Sequence, residues 1–154
     1  MTEKHEFFIK RAIALAAEGM KLAAGRPFGA VVVKDDKILA EAYNQVTSTN
    51  DPTAHAEIVA IRKACQKLKN FELRDCTIYT SCEPCPMCLG AIYWSQAKAV
   101  YYGCSRKDAA KFNFDDQFIY DEIDKKMDAR RVKFVQIAQL DAIAVFKEWE
   151  KLKK

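Results

Sequence analysis

No stretch of this 154-residue chain is apolar for long enough to cross a bilayer, so the sequence predicts no membrane-spanning helix. The sequence predicts no secretory signal either. The start, "MTEKHEFFIKRAIALAAEGM", is charged from Glu3 onward, and Lys10 and Arg11 break its apolar residues, so it reads as an amphipathic helix. These absences predict a cytoplasmic protein whose six cysteines serve as thiols or metal ligands and not as disulfides. There is no concentrated basic stripe of the kind a nucleic-acid reader presents. Lys and Arg outnumber Asp and Glu by 25 to 21, a net charge of +4 that permits anionic partners without demanding them. The densest basic run, "KEWEKLKK", is interrupted by Glu148 and Glu150 and reads as a solvated helix end. Histidine is scarce, with His5 and His55 the only two. Internal repeats, low-complexity tracts and linkers are absent, and the length predicts one domain over residues 1–154.

What is present has clear periodicity. Phe8, Ala12, Leu15, Ala16 and Leu22 recur at helical spacing and predict one buried helix face, with His5 in a mobile start. Ala30 to Val33 is a continuous run typical of a buried strand, "KDDK" is turn material, and Ile38 to Tyr43 predicts the second arm of a hairpin. Asp51-Pro52 predicts a helix start, followed by Ile58, Ile61, Cys65 and Leu68 on one face. "CTIYT" reads as a strand, Pro84-Cys85-Pro86 opens a helix, and "KAVYYG" is a strand; this succession predicts a right-handed parallel crossover. Asp116 to Met127 reads as a helix, Val132 to Val135 as a last strand, and Val145 to Leu152 as a final helix. The expected fold is three-layer α/β/α, a central mixed sheet flanked by helices.

The chemistry concentrates in "TSCEPCPMC", where Cys82, Cys85 and Cys88 stand three residues apart, and in "PTAHAEIVA", which carries His55 and Glu57. Cys85 and Cys88 share one face at a helix start, where the positive end of the helix dipole favours thiolates. Two site types follow. All three cysteines with His55 would close a structural zinc site. Alternatively, His55, Cys85 and Cys88 hold zinc and leave one position open, with Cys82 a small buried thiol like Cys65, Cys76 and Cys104. The open site is the better fit. Cys82 ends a strand before Pro84 and need not point the same way, and a closed site leaves Glu57 without a role. A carboxylate beside a three-ligand zinc is what hydrolysis needs, since zinc lowers the pKa of its water to about 7 and the carboxylate moves protons. His55 and Glu57, two apart, can both face one site only at the very end of a helix.

H-x-E followed by P-C-x-x-C is the signature of zinc nucleobase deaminases, here His55-Ala56-Glu57 and Pro84-Cys85-Pro86-Met87-Cys88. The chain resembles the cytidine-deaminase-like superfamily and, within it, the bacterial guanine deaminase branch. The resemblance is densest in "RPFGAVVVKDDKILAE", "NDPTAHAEIVAIRKAC", "YTSCEPCPMCLGAIYW" and "FDDQFIYDEID". It implies zinc on His55, Cys85 and Cys88, with Glu57 as the proton shuttle that converts guanine to xanthine and ammonia. It also implies a homodimer acting on a small nucleobase in purine breakdown. Cytosine and tRNA adenosine deaminases share the same core and supply the alternative, and a non-catalytic zinc module is the remaining one. Candidate substrate contacts are Asn44, whose amide both donates and accepts, or merely turns the chain; Phe28, stacking on the base or packing in the core; Trp94, pocket wall or core; and the Ala54 backbone amide. Asp116 is the second carboxylate, an acceptor for guanine's donors; alternatively it caps the following helix, as Asp115 also can, and both readings hold if Asp115 caps while Asp116 reaches inward. The terminal "EWEKLKK" departs from relatives that end in an aromatic residue.

Overall fold

The computed structural model describes residues 3–152. Within them the chain divides into two compact units, residues 3–117 and 118–152.

The first unit is built on a four-stranded mixed sheet of order β2-β1-β3-β4, with β1 Gly29–Lys34, β2 Lys37–Tyr43, β3 Cys76–Cys82 and β4 Ala99–Cys104. β1 pairs antiparallel with β2 and with β3, while β3 and β4 run parallel. The polar turn between Lys34 and Lys37 closes the hairpin at Asp35 and Asp36, both at positive φ. The parallel pair is joined by helix α4 (Pro86–Ser95), as the strand–helix–strand succession requires.

Helices cover both faces. α1 (Glu3–Lys21) lays Phe8, Ala12 and Leu15 against Val31, Val33 and Tyr79. On the opposite face, α3 (Ala56–Leu68) and α4 pack Ala56, Val59, Ala60, Ala64 and Ile92 against Ala30, Val32, Ala40, Ala42 and Ile78. Alternate residues of β1 thus enter opposite cores, which is why that strand is apolar without interruption. α1 crosses β1 closely at Gly29, where a Cβ would lie 2.2 Å from the Ala12 carbonyl oxygen. β2 is an edge strand, and two lysines of α3 reach its carbonyls: Lys63 donates to Glu41 O at 3.0 Å and Lys67 to Leu39 O at 2.6 Å.

Several sequence expectations change. Leu22 lies beyond the end of α1 and is exposed. His5 is not in a mobile start: it lies within α1, its Nδ1 is 2.8 Å from the Tyr79 hydroxyl, and its ring stacks on Tyr101. Asp51-Pro52 does not open a helix. The Asp51 carboxylate accepts from both the Thr53 amide and hydroxyl, a local turn that consumes its capping capacity, and α3 begins only at Ala56 with His55 as its N-cap. A short helix not foreseen in the sequence, α2 (Val46–Thr49), precedes that turn. After β4, α5 (Arg106–Ala110) starts with a full capping box between Ser105 and Asp108.

From Gln117 the chain forms α6 (Gln117–Asp124), shorter than the expected Asp116–Met127; Met127 belongs instead to a 3₁₀ turn, Met127–Ala129. Val132 to Val135 is not a strand. Among the described residues no strand pairs with it, and Val132, Phe134 and Val135 remain exposed. The last helix, α7, spans Gln139–Leu152, and no described residue of this second unit is buried. The final lysines of "KEWEKLKK", Lys153 and Lys154, lie outside the described residues. Among the described residues no helix is long and apolar enough to cross a membrane.

Candidate active site

Two helix starts converge on one point. His55 is the N-cap of α3, with φ −65° and ψ 154°, and Cys85 is the N-cap of α4, with φ −66° and ψ 168°. Extended backbone at both caps turns each side chain off its helix axis and toward the other. That resolves the spacing of His55 and Glu57: one residue sits before the first turn, the other inside it. The His55 Nδ1 atom is 3.5 Å from the Cys85 Sγ and 3.5 Å from the Cys88 Sγ. The three ligand atoms all fall within 4.8 Å of one another.

This triplet fits a zinc ion. Two bonds of roughly 2.0 and 2.3 Å at a tetrahedral angle separate a nitrogen from a sulfur by roughly 3.5 Å. The charge state also suits a ligand set. The Cys88 thiol donates to Cys85, and with His55 this pulls the Cys85 thiol down to about 4 against the opposing effect of burial. Cys88 is pushed up by the same hydrogen bond and by burial, so Cys85 carries the charge of the pair. His55 is raised by its hydrogen bond to Cys85, partly offset by its own burial. Cys82 stays apart. It is buried at the end of β3, its thiol points to the Ser105 carbonyl at 3.9 Å, and burial raises its pKa. The donors that cluster are therefore His55, Cys85 and Cys88, with Cys82 outside the group.

Glu57 lies in the first turn of α3 and is 6% exposed. Burial is the main cause of its raised pKa, and the Cys85 thiolate adds to it. Its Oε1 is 3.3 Å from the Thr80 hydroxyl, which also reaches the Cys82 carbonyl at 3.0 Å. A carboxyl group whose two protonation states are brought closer in energy can accept a proton and return it.

The other predicted residues separate. Asn44 is 1% exposed, and its Oδ1 accepts from the amides of Arg26 and Val46, both at 3.2 Å. The oxygen is committed to the backbone, so only the amide N–H₂ can face a ligand. Phe28 is half-buried, packed edge-on against Phe114 at 5.1 Å, with the Arg26 guanidinium 5.7 Å from the Phe114 ring. Asp116 is half-buried and its pKa is raised, first by burial and then by the Cys85 thiolate. Asp115 is exposed, and its carboxylate accepts from the Gln117 amide at 2.9 Å, beside the start of α6.

Two expectations are corrected. The Ala54 amide is not available to a ligand, because it donates to Asp51 O at 3.1 Å and closes the turn before His55. Trp94 is in neither core nor wall of this chain but 86% exposed. Cys88 and Ile92 take the buried face of α4, and Trp94 follows Ile92 by two residues, roughly 200° around the helix. Thr80, Glu83 and Phe114 escaped the sequence reading. Thr80 had a signal, since it precedes Cys82 by two positions on a strand and so shares its face. Glu83 accepts from the Arg106 amide at 3.0 Å and ties the ligand loop to α5, a contact with no signature in sequence.

A helix-borne His/Cys/Cys triplet beside a buried carboxylate, on a three-layer sheet, defines a zinc-dependent hydrolytic deaminase. Residues 2–104 match the family described as the cytidine and deoxycytidylate deaminase zinc-binding region, and the chain belongs to it. It is 56% identical to the guanine deaminase of Bacillus subtilis (strain 168), over 94% of this chain and 93% of that protein. The crystal structure of a B. subtilis guanine deaminase superposes with a TM-score of 0.93 at 54% identity, covering 98% of this chain and 95% of that one. A tRNA-specific adenosine deaminase of Buchnera aphidicola is 46% identical over 57% of this chain and 58% of its own.

Proposed function

We propose that the chain hydrolyses guanine to xanthine and ammonia. The observation that carries the choice of substrate is the similarity to the B. subtilis guanine deaminase, 56% identical over nearly the whole of both chains, whereas tRNA adenosine deaminases match at 37–46% identity over 53–73% of this chain. The site chemistry is common to the family. His55, Cys85 and Cys88 would hold zinc, which when bound supplies a Lewis acid that acidifies water at the open position. Glu57 takes one proton of the attacking water and hands it to the ring nitrogen; it then takes the second, from the oxygen now bonded to C2, and gives it to the amine, which leaves as ammonia as the C2–oxygen double bond forms. Burial and a raised pKa suit it to that sequence.

Substrate choice falls to Asn44, Asp116 and Phe28. Guanine presents N–H donors around C2, and the Asp116 carboxylate is an acceptor for them. The Asn44 amide, with its oxygen already engaged, donates to an acceptor on another edge. Phe28, steadied by Phe114, offers a face for the ring. Cytosine puts a ring nitrogen acceptor beside its amine, and a carboxylate held against it would be left unpaired.

The reading includes a single functional domain, a cytoplasmic location in keeping with six unpaired cysteines, and a homodimer. Large apolar side chains exposed on α4 (Leu89, Tyr93, Trp94) support the dimer, and sedimentation at micromolar concentration tests it. The function itself is tested by assaying xanthine formation beside cytosine and tRNA deamination at matched enzyme concentration. Turnover of guanine alone is expected. Inert guanine with active tRNA or cytosine overturns the substrate and leaves the family assignment standing.

A further inference from the structure

We propose that Thr80 is the positioning residue for the Glu57 carboxyl group. The proposal rests on the reading of Glu57 as proton shuttle. Cys76, Ile78, Thr80 and Cys82 alternate along β3 toward the face covered by α3 and α4, and the first two are apolar. At Thr80 the row keeps a β-branched shape and gains a hydroxyl, opposite Glu57. Thr80 is 1% exposed and its strand is paired on both sides, Thr80 with Ala30 on β1 and with Tyr102 on β4. Its χ1 is stiff by chemistry and its backbone by pairing, so the hydroxyl has a fixed location.

That hydroxyl has one proton and two acceptors in reach, Glu57 Oε1 at 3.3 Å and Cys82 O at 3.0 Å. It spans the shuttle and the strand end from which the chain runs to Cys85. Terminal carboxyl torsions are broad, and a carboxyl group with no neighbouring donor rotates freely about its last bond. Thr80 restricts that rotation and holds Glu57 in register with the ligand loop. In the shuttle reading Glu57 is not a metal ligand, so its orientation comes from its neighbours: Thr80 beside its own backbone amide and the Cys88 thiol.

The test is Thr80→Val, which keeps the shape and removes the hydroxyl, with Thr80→Ser as the conservative rescue. Zinc content, thermal midpoint, kcat and KM for guanine are measured for each, alone and in a Glu57→Gln background. Loss of a group that orients a catalytic side chain lowers activity about 10- to 100-fold. The expected result for Thr80→Val is a loss of that size in kcat, KM within about twofold, and zinc retained. Thr80→Ser restores most of the rate, and Thr80→Val adds nothing to Glu57→Gln. A wild-type kcat in Thr80→Val overturns the proposal, as does an equal loss in both backgrounds, which marks a purely structural role. Should Thr80→Val lose zinc or melt early, Thr80→Ala is judged by the same criteria. The shuttle reading fails separately, by Glu57→Gln turning over guanine at the wild-type rate.

Discussion

Gly25 and Asn44 leave no room between them: a Cβ on residue 25 would lie 2.2 Å from the Asn44 Oδ1 and 2.6 Å from its carbonyl oxygen. Asn44 Oδ1 is held by the Arg26 and Val46 amides, so the glycine is part of what aims the free N–H₂. Gly25→Ala must shift Asn44. Misplacing a substrate-positioning group by about 1 Å lowers turnover by up to about 100-fold. The expected outcome is a fall of about 10- to 100-fold in kcat/KM for guanine with zinc content unchanged. Unaltered kinetics would remove Asn44 from the substrate contacts.

Metal content separates the four candidate ligands. Purified His55→Ala, Cys85→Ala and Cys88→Ala should lack zinc, and Cys82→Ala should hold one ion per chain. The basis is the placement of Cys82, which turns to the Ser105 carbonyl and lies outside the His55–Cys85–Cys88 cluster. An empty site in Cys82→Ala would mean a closed, four-protein-ligand centre. Stripping the wild-type metal should also lower the thermal midpoint, because an ion bound only by the folded state stabilises it.

Glu57→Gln keeps size and hydrogen-bonding shape while abolishing proton transfer. Fold and zinc should survive, and guanine turnover should drop by roughly 10²–10⁴-fold, more if one group serves several transfers. Elemental analysis and a steady-state assay on the same preparation decide this.

Asp116 and Asp115 are distinguished by paired substitutions. Asp116→Ala should depress guanine turnover far more than zinc content, by about 10- to 100-fold if it holds the substrate's donors. Asp115→Ala removes the acceptor for the Gln117 amide and should reach only stability, by about 1 kcal/mol, the usual magnitude for a helix-start acceptor. The reverse pattern would exchange their roles.

Stability should carry a pH signature from α1 and β2. Arg11 grips the Glu41 carboxylate with Nε at 2.6 Å and Nη2 at 2.9 Å. The hydrogen bonds from Arg11 pull Glu41 below its ordinary 4.5, despite some burial. A folded pKa below the unfolded one stabilises at pH above the unfolded value and is lost as pH falls through the folded value. Glu41→Gln should therefore lower the thermal midpoint equally at pH 7 and pH 6, with the gap to wild type closing below about pH 4.5. The pair is partly exposed and contributes about 1 kcal/mol or less, a few degrees in midpoint. A gap that widens in acid would contradict the assignment.

The hairpin, the parallel crossover and the two covered faces are legible because each rests on local pattern: Ala30 to Val33 can be continuous only if both faces are buried; the antiparallel pairing of β1 with β3, which sets the strand order, has no such local signal. The His/Cys/Cys set is legible because scarcity leaves His55 almost alone. Three other features are not. The Ala54 amide is spent in a backbone turn, and sequence shows the donor but not its partner. Trp94 sits on a helix apolar nearly all round, so composition does not say which side faces in. Val132 to Val135 has the β-branched and aromatic composition of a strand, but a strand needs a neighbour to share its hydrogen bonds, and composition carries no information about one.

The lysines that reach from α3 to the carbonyls of Leu39 and Glu41 bear on how the protein behaves in a crowded solution. An edge strand such as β2 is a template on which a foreign strand can zip, and its unshared oxygens are where that begins. Here an arriving strand must first break two charge-assisted bonds and strand two ammonium groups beside its own backbone donors. Helix α3, which presents His55 and Glu57 at one end, thereby shields the sheet from polymerisation along its length.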